Sequence, residues 1–292
     1  MKKFIIPLFL IIIAAGCGRQ ADGPSQDEKA VITVSIEPFR FFVEAIAGDN
    51  YRVNVIVPPG ASPATYEPPP AVIRDLKDSE LMIINAYLGF ELAWLDKMTN
   101  VNPEAEVLEL AASQDLIAAD SHSHDGISHH TGVDPHFWVS PVRARIIAED
   151  IRDFLSEKDP ERKDEYWLKH LQLDSVIMDT DAYIKTLLDN ATNKSFMIFH
   201  PSLSYLAMDY GLEQIAVETE GKEPSPSDLK RLIDKGREKN IKAILVQREF
   251  DKRNADLIAD EIAAETIIID PLAYDWVSSV RTIAESIAGT YK

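Results

Sequence analysis

The chain has 292 residues, with 48 acidic against 30 basic side chains and a formal net charge of −18. So acidic a surface repels nucleic acid and favours cations in its vicinity. The length is enough for two ordinary domains, and a single cysteine excludes an intramolecular disulfide.

Lys2 and Lys3 open the chain, and an almost wholly apolar run follows over residues 4–15, with small residues just before Cys17. A charged start, a short apolar stretch and small residues at the break describe a secretory signal, and the run is too short to span a bilayer comfortably. Cys17 stands where a bacterial lipoprotein signal places its lipidated cysteine. Residues 1–17 are therefore expected to be a lipoprotein signal peptide, with Cys17 as the lipidation site that anchors the chain outside the cytoplasm to a bacterial membrane. Residues 18–29 are polar, with Gly, Pro and Ser, and read as a flexible tether.

From Ala30 the pattern alternates. VITVSI (31–36), RVNVIV (52–57), LMIIN (81–85) and VLEL (107–110) read as strands, separated by helical stretches over 40–48, 71–78 and 90–98. A helix is expected to begin near Pro141. A long helix is expected over 160–190, where Tyr166, Leu173, Ile177, Ile184 and Leu188 recur at spacings of seven or four and trace one apolar stripe. His170 on that helix reads as a surface or boundary residue. The alternation then restarts, with strands at 195–199, 214–217, 243–246 and 266–270 and helices at 226–239, 252–265 and 275–288. The fold class expected is α/β: two lobes with mainly parallel sheets, over 30–159 and 191–292, joined by a rigid helix over 160–190.

Open α/β sheets bind ligands outside the carboxyl ends of their strands. His200 follows FMIF directly and is followed by Pro201, and Asp270 follows TIII and is followed by Pro271. His136 lies in VDPHFWVSP, between two prolines that stiffen the backbone. Two imidazoles and a carboxylate suit a borderline cation such as zinc. His122, His124, His129 and His130 lie instead among Ser, Asp, Gly and Thr, in a His-rich loop placed at 120–133.

PPGASPATYEPPP (58–70), DPHFWVSP (134–141), HPSLSYLAMDYGL (200–212), EGKEPSPSDL (220–229) and DPLA (270–273), in that order, resemble the zinc and manganese substrate-binding proteins of bacterial ABC importers. The resemblance implies two lobes with a metal site in the cleft between them, and metal ligands at His136, His200 and Asp270. It implies Zn2+ as the transported ligand, because histidine at position 200 resembles the zinc branch, with Mn2+ as the alternative. It further implies an ABC permease and its ATPase as partners, a monomer, and a role for the loop histidines in capturing metal. One position departs from the pattern: after Pro63, where the family carries a histidine, this chain has Ala64. Three protein ligands then remain where zinc usually takes four. Glu67, Tyr66 and Glu220 are further candidates to ligate the metal or support its ligands, alongside water or a loop histidine. A receptor is the leading reading. A surface metal-binding adhesin and a zinc-dependent hydrolase are the alternatives, the hydrolase because three ligands with an open position also describe catalytic zinc.

Overall fold

The computed structural model describes residues 29–118, 132–218 and 222–289. The expected signal peptide with Cys17, the histidines His122, His124, His129 and His130, and Glu220 lie outside the described residues.

The first lobe is built from β1 (Val31–Val34), α1 (Glu37–Ala47), β2 (Arg52–Val55), α2 (Pro70–Asp75), β3 (Ser79–Ile84), α3 (Gly89–Val101) and β4 (Glu106–Glu109). Its four strands are all parallel, in the order β2-β1-β3-β4. Two long helices follow, α4 (Pro141–Lys158) and α5 (Lys163–Asp189). The second lobe comprises β5 (Ser195–Ile198), α6 (Ser204–Asp209), β6 (Glu213–Ala216), α7 (Pro226–Glu238), β7 (Ala243–Gln247), α8 (Arg253–Ile262), β8 (Glu265–Ile269) and α9 (Trp276–Ala288). Its sheet is parallel in the order β6-β5-β7-β8, so both lobes share one winding. In each, the strand order reverses direction between the first and third strands, which opens a crevice at their carboxyl ends.

Strand alternation divides the second lobe between two cores. Phe196, Ile198, Leu245 and Ile269 join a core shared with the first lobe. Met197, Phe199, Ile244 and Val246 face the other way and pack with Leu232, Ile258 and Ile262. A strand buried on both faces reads as a continuous apolar run, as these do.

Helix α5 packs against α1 and α4 of the first lobe and α9 of the second. Its stripe, Tyr166, Leu173, Ile177, Ile184 and Leu188, is buried as the spacing requires. The helix starts later than expected, because Pro160–Arg162 forms a separate tight turn. His170, expected at the surface or boundary, is only 7% exposed and packs beside the Trp167 ring. It falls four residues after Tyr166 and three before Leu173, on the buried stripe itself.

The lobes are knit together by aromatic side chains. The Trp138 indole N–H donates to the Pro271 carbonyl at 2.9 Å, and the Trp276 indole N–H donates to the Trp138 carbonyl at 2.7 Å. Ser140 Oγ donates to Asp209 Oδ2 at 2.6 Å, and the Trp276 ring lies against Phe41 and Phe42 of α1. Both indole nitrogens are buried and satisfied, which fixes the orientation of the rings as well as their burial.

Candidate metal centre

The segment that carries His136 is held from both lobes. The Asn85 side chain, at the end of β3, donates to the Pro135 carbonyl at 2.9 Å. From α6 the Tyr205 hydroxyl donates to the Asp134 carbonyl at 2.8 Å and accepts from the Ile117 N–H at 3.0 Å. Asp134 Oδ1 then faces both the backbone N–H and Nδ1 of His136, each at 2.8 Å. Burial pushes the Asp134 carboxyl up, but the His136 charge and hydrogen bonds outweigh it and hold the pKa below the ordinary value.

His200 is fixed by different elements to the same effect. Its Nδ1 lies 3.0 Å from Glu218 Oε1, a carboxylate 5% exposed at the end of β6. The Gln247 side chain, buried at the end of β7, donates to the His200 carbonyl at 2.6 Å and to Ser202 Oγ at 2.7 Å. The Phe250 ring stacks on the imidazole, with centroids 5.1 Å apart and planes 19° apart.

These supports leave His136 Nε2 and His200 Nε2 facing each other at 3.4 Å. In the neutral rings a carboxylate against each Nδ1 favours the tautomer with its proton there, which leaves the Nε2 lone pair for a cation. Two lone pairs aimed at one another repel unless a cation lies between them. Zinc–nitrogen bonds of about 2.0–2.1 Å at a tetrahedral angle separate the two nitrogens by about 3.3–3.4 Å. The imidazole pair is thus already at the spacing of two ligands on one zinc ion.

The pair opens on a cavity of about 510 Å³ between the lobes, lined by apolar groups such as Leu88, Leu92, Phe250 and Leu272 as well as by Glu249. On the first-lobe side it meets Pro63 and Ala64. That loop lies directly on the start of α3, where the Phe90 N–H donates to the Pro63 carbonyl at 3.0 Å. A Cβ on Gly89 would come 2.3 Å from the Ala64 carbonyl oxygen, so only glycine permits this approach. Beneath the same wall lies Glu91, fully buried. It accepts from the Ser35 hydroxyl, from the Asn85 N–H at 2.9 Å and from the Leu88 N–H at 3.1 Å. Burial pushes its pKa up to about 7 despite these bonds.

Of the residues singled out from sequence, His136 and His200 meet. Asp270 Oδ2 instead pairs with Arg248 Nη1 at 2.8 Å, its Oδ1 accepts from the Leu272 N–H at 3.2 Å, and it is not among the cavity-lining residues. Leu245 and Ile269 face the shared core, which carries Gln247, at the end of β7, toward the seam; Arg248 and Asp270 lie just past the ends of β7 and β8 and pair with each other there. Tyr66 packs edge-on against Phe90, and neither Tyr66 nor Glu67 lines the cavity. Among the described residues, no three of His, Cys, Asp and Glu are already gathered around one point. Sequence reasoning passed over Asp134, Glu218, Gln247 and Glu249. The signal available was position: Glu218, Gln247 and Glu249 all lie at or just past the carboxyl ends of β6 and β7, the neighbours of β5.

Two parallel-sheet lobes locked along one helix, with a pair of imidazoles in the seam, define the class: a two-lobe binding fold. The chain belongs to the family described as zinc-uptake complex component A, periplasmic, which it matches over residues 32–289. It is similar to the zinc-binding lipoprotein AdcA of Streptococcus pneumoniae (strain ATCC BAA-255 / R6), at 28% identity over 286 residues, 93% of this chain and 56% of the relative. The chain thus spans little more than half the length of that relative. It is also similar to the high-affinity zinc uptake system protein ZnuA of Bacillus subtilis (strain 168), at 27% identity, with 92% of this chain and 87% of the relative covered. Among solved structures it resembles a crystal structure of ZnuA at a TM-score of 0.84 and 34% identity, covering 90% of this chain and 99% of that one.

Proposed function

We propose that this chain is an extracytoplasmic receptor that captures Zn2+ in the seam between its lobes and hands it to an ABC permease driven by its ATPase. The observation that carries the reading is the imidazole pair: Nε2 atoms 3.4 Å apart, each ring oriented through Nδ1 by a buried or half-buried carboxylate. The names of the relatives support zinc over manganese as cargo. The family's description as a component of an uptake complex supports a receptor over the zinc-dependent hydrolase.

In this reading His136 and His200 are the neutral ligands and Asp270 is a carboxylate ligand, released by Arg248 when the cation arrives. Residues 30–159 and 191–292 serve as the lobes about the helix of 160–190. Cys17 carries the lipid that keeps the receptor, as a monomer, beside its permease, and the loop histidines His122, His124, His129 and His130 collect metal for the seam. Chelator-competition titrations with Zn2+ and Mn2+ on the parent and His200→Ala proteins test the reading. The parent is expected to prefer zinc, and His200→Ala to lose most of that affinity. A His200→Ala protein that titrates as the parent does overturns the assignment.

A further inference from the structure

We infer that Glu249 is a protein ligand of the cargo cation, supplying from the second lobe the donor that Ala64 no longer supplies from the first. The inference rests on the receptor reading and adds to its ligand set. Glu249 lies two residues beyond β7, and β7 pairs with β5, the strand that ends at His200. Both residues therefore flank the crevice where the strand order reverses, the place where open sheets hold ligands. Glu249, Ala64, His136 and His200 line one cavity.

The state of the Glu249 carboxylate is the second observation. Its Oε2 is shut off from solvent and has no hydrogen-bond partner. The carboxylates around it are all committed: Asp134 to His136, Glu218 to His200, and Asp270 to Arg248 and the Leu272 N–H. A buried carboxylate oxygen without a partner is costly, and a cation in the cavity would offset that cost. Burial also raises the Glu249 pKa, and the nearby Asp270 charge adds to the rise.

Charge balance argues in the same direction. Two neutral imidazoles bring no negative charge to a divalent cation, and the charge on Asp270 is already met by Arg248. Glu249 is the acidic residue lining the cavity beside the histidines. Two histidines and a glutamate form an established zinc ligand set, and a tetrahedral ion then has one position left for Asp270 or water. Among the described residues Glu249 does not yet share a ligating point with the pair, so ligation requires its side chain to turn toward the ion.

The test compares zinc affinity, by chelator competition, for the metal-stripped parent, Glu249→Gln, His200→Ala, Ala64→His and the Ala64→His/Glu249→Gln double variant. Co2+ absorption spectra of the first two provide a direct view of the coordination shell. Glu249→Gln is expected to weaken zinc by about tenfold or more, to alter the Co2+ bands, and to leave the metal-free unfolding midpoint unchanged or raised. In the Ala64→His background the same change should weaken zinc by only a few-fold, because a histidine there restores the first-lobe donor. If His200→Ala loses zinc while Glu249→Gln retains both affinity and Co2+ spectrum, Glu249 is not a ligand and the receptor reading stands. If His200→Ala also binds as the parent does, the site itself is misplaced. An equal Glu249→Gln penalty in both backgrounds overturns the idea that Glu249 stands in for the missing first-lobe donor.

Discussion

Replacing Glu218 by Gln keeps the shape of the side chain and removes its charge. In the parent, Glu218 Oε1 lies 3.0 Å from His200 Nδ1, and the carboxylate is buried, so water screens the contact little. A hydrogen bond to a charged group contributes about 1.5–3 kcal/mol and a neutral one about 0.5–1.5. The glutamine oxygen can still accept from Nδ1–H, so the loss is the difference, about 1–1.5 kcal/mol. It acts on the basicity of Nε2 and on the tautomer that leaves Nε2 unprotonated. Since 1.4 kcal/mol is a factor of ten, zinc should bind about tenfold more weakly to Glu218→Gln. A competition titration against a chromophoric chelator measures this, with a urea melt of the metal-free protein as the control for folding. A Glu218→Gln protein that folds normally and binds zinc within about twofold of the parent would refute the argument that a carboxylate sets the His200 tautomer.

Glu91 makes a pH prediction. Its pKa rises from the ordinary 4.5 to about 7 in the fold, so the folded state holds a proton that the unfolded chain releases. Its contribution to metal-free stability is full below about pH 4.5 and falls by on the order of 3 kcal/mol as pH rises to about 7. Urea midpoints across that window should show the decline in the parent and not in Glu91→Gln. Trp276→Ala opens a hole in the shared core and unpairs the Trp138 carbonyl, which should cost about 3–5 kcal/mol in a urea unfolding experiment. Arg248→Ala releases Asp270 from its exposed ion pair and should tighten zinc by about twofold to fivefold. If Asp270 does not ligate, competition titration will show no change.

The apolar runs were legible because parallel strands covered on both faces leave little room for polar residues, and VITV, LMII and AILVQ were placed to within a residue or two. Helix α6 (Ser204–Asp209) was not expected, since six residues are too few to display a period. His170 was misjudged from its neighbours, Lys169 and Leu171, although its spacing from Tyr166 and Leu173 placed it on the buried stripe. In the site, prolines drew attention to His136, His200 and Asp270. They said nothing of where each side chain turns past its strand end, where Asp270 meets Arg248 and Glu249 lines the cavity. The carboxylates behind the imidazoles were hidden for another reason. Glu218 is eighteen positions from the histidine it serves, and only the pairing of β5 with β6 brings the two together.

The bonds that hold the His136 segment bear on how the proposed receptor would release a cation. The Trp138 indole donates to the Pro271 carbonyl, the Trp276 indole donates to the Trp138 carbonyl, and Tyr205 reaches over the boundary to the Asp134 carbonyl. His136 belongs to the first lobe by chain order, and Asn85 and Phe39 tie its segment there, yet these bonds tie it to the second lobe as well. Swinging the lobes apart would therefore have to break one set of these bonds before it could separate the two imidazoles. A smaller event at the opposite wall, where the Pro63–Ala64 turn rests on Gly89, would disturb neither set. In the receptor reading, a permease pressing on this turn would have a short lever into the cavity, and release would be governed by how readily that wall lifts.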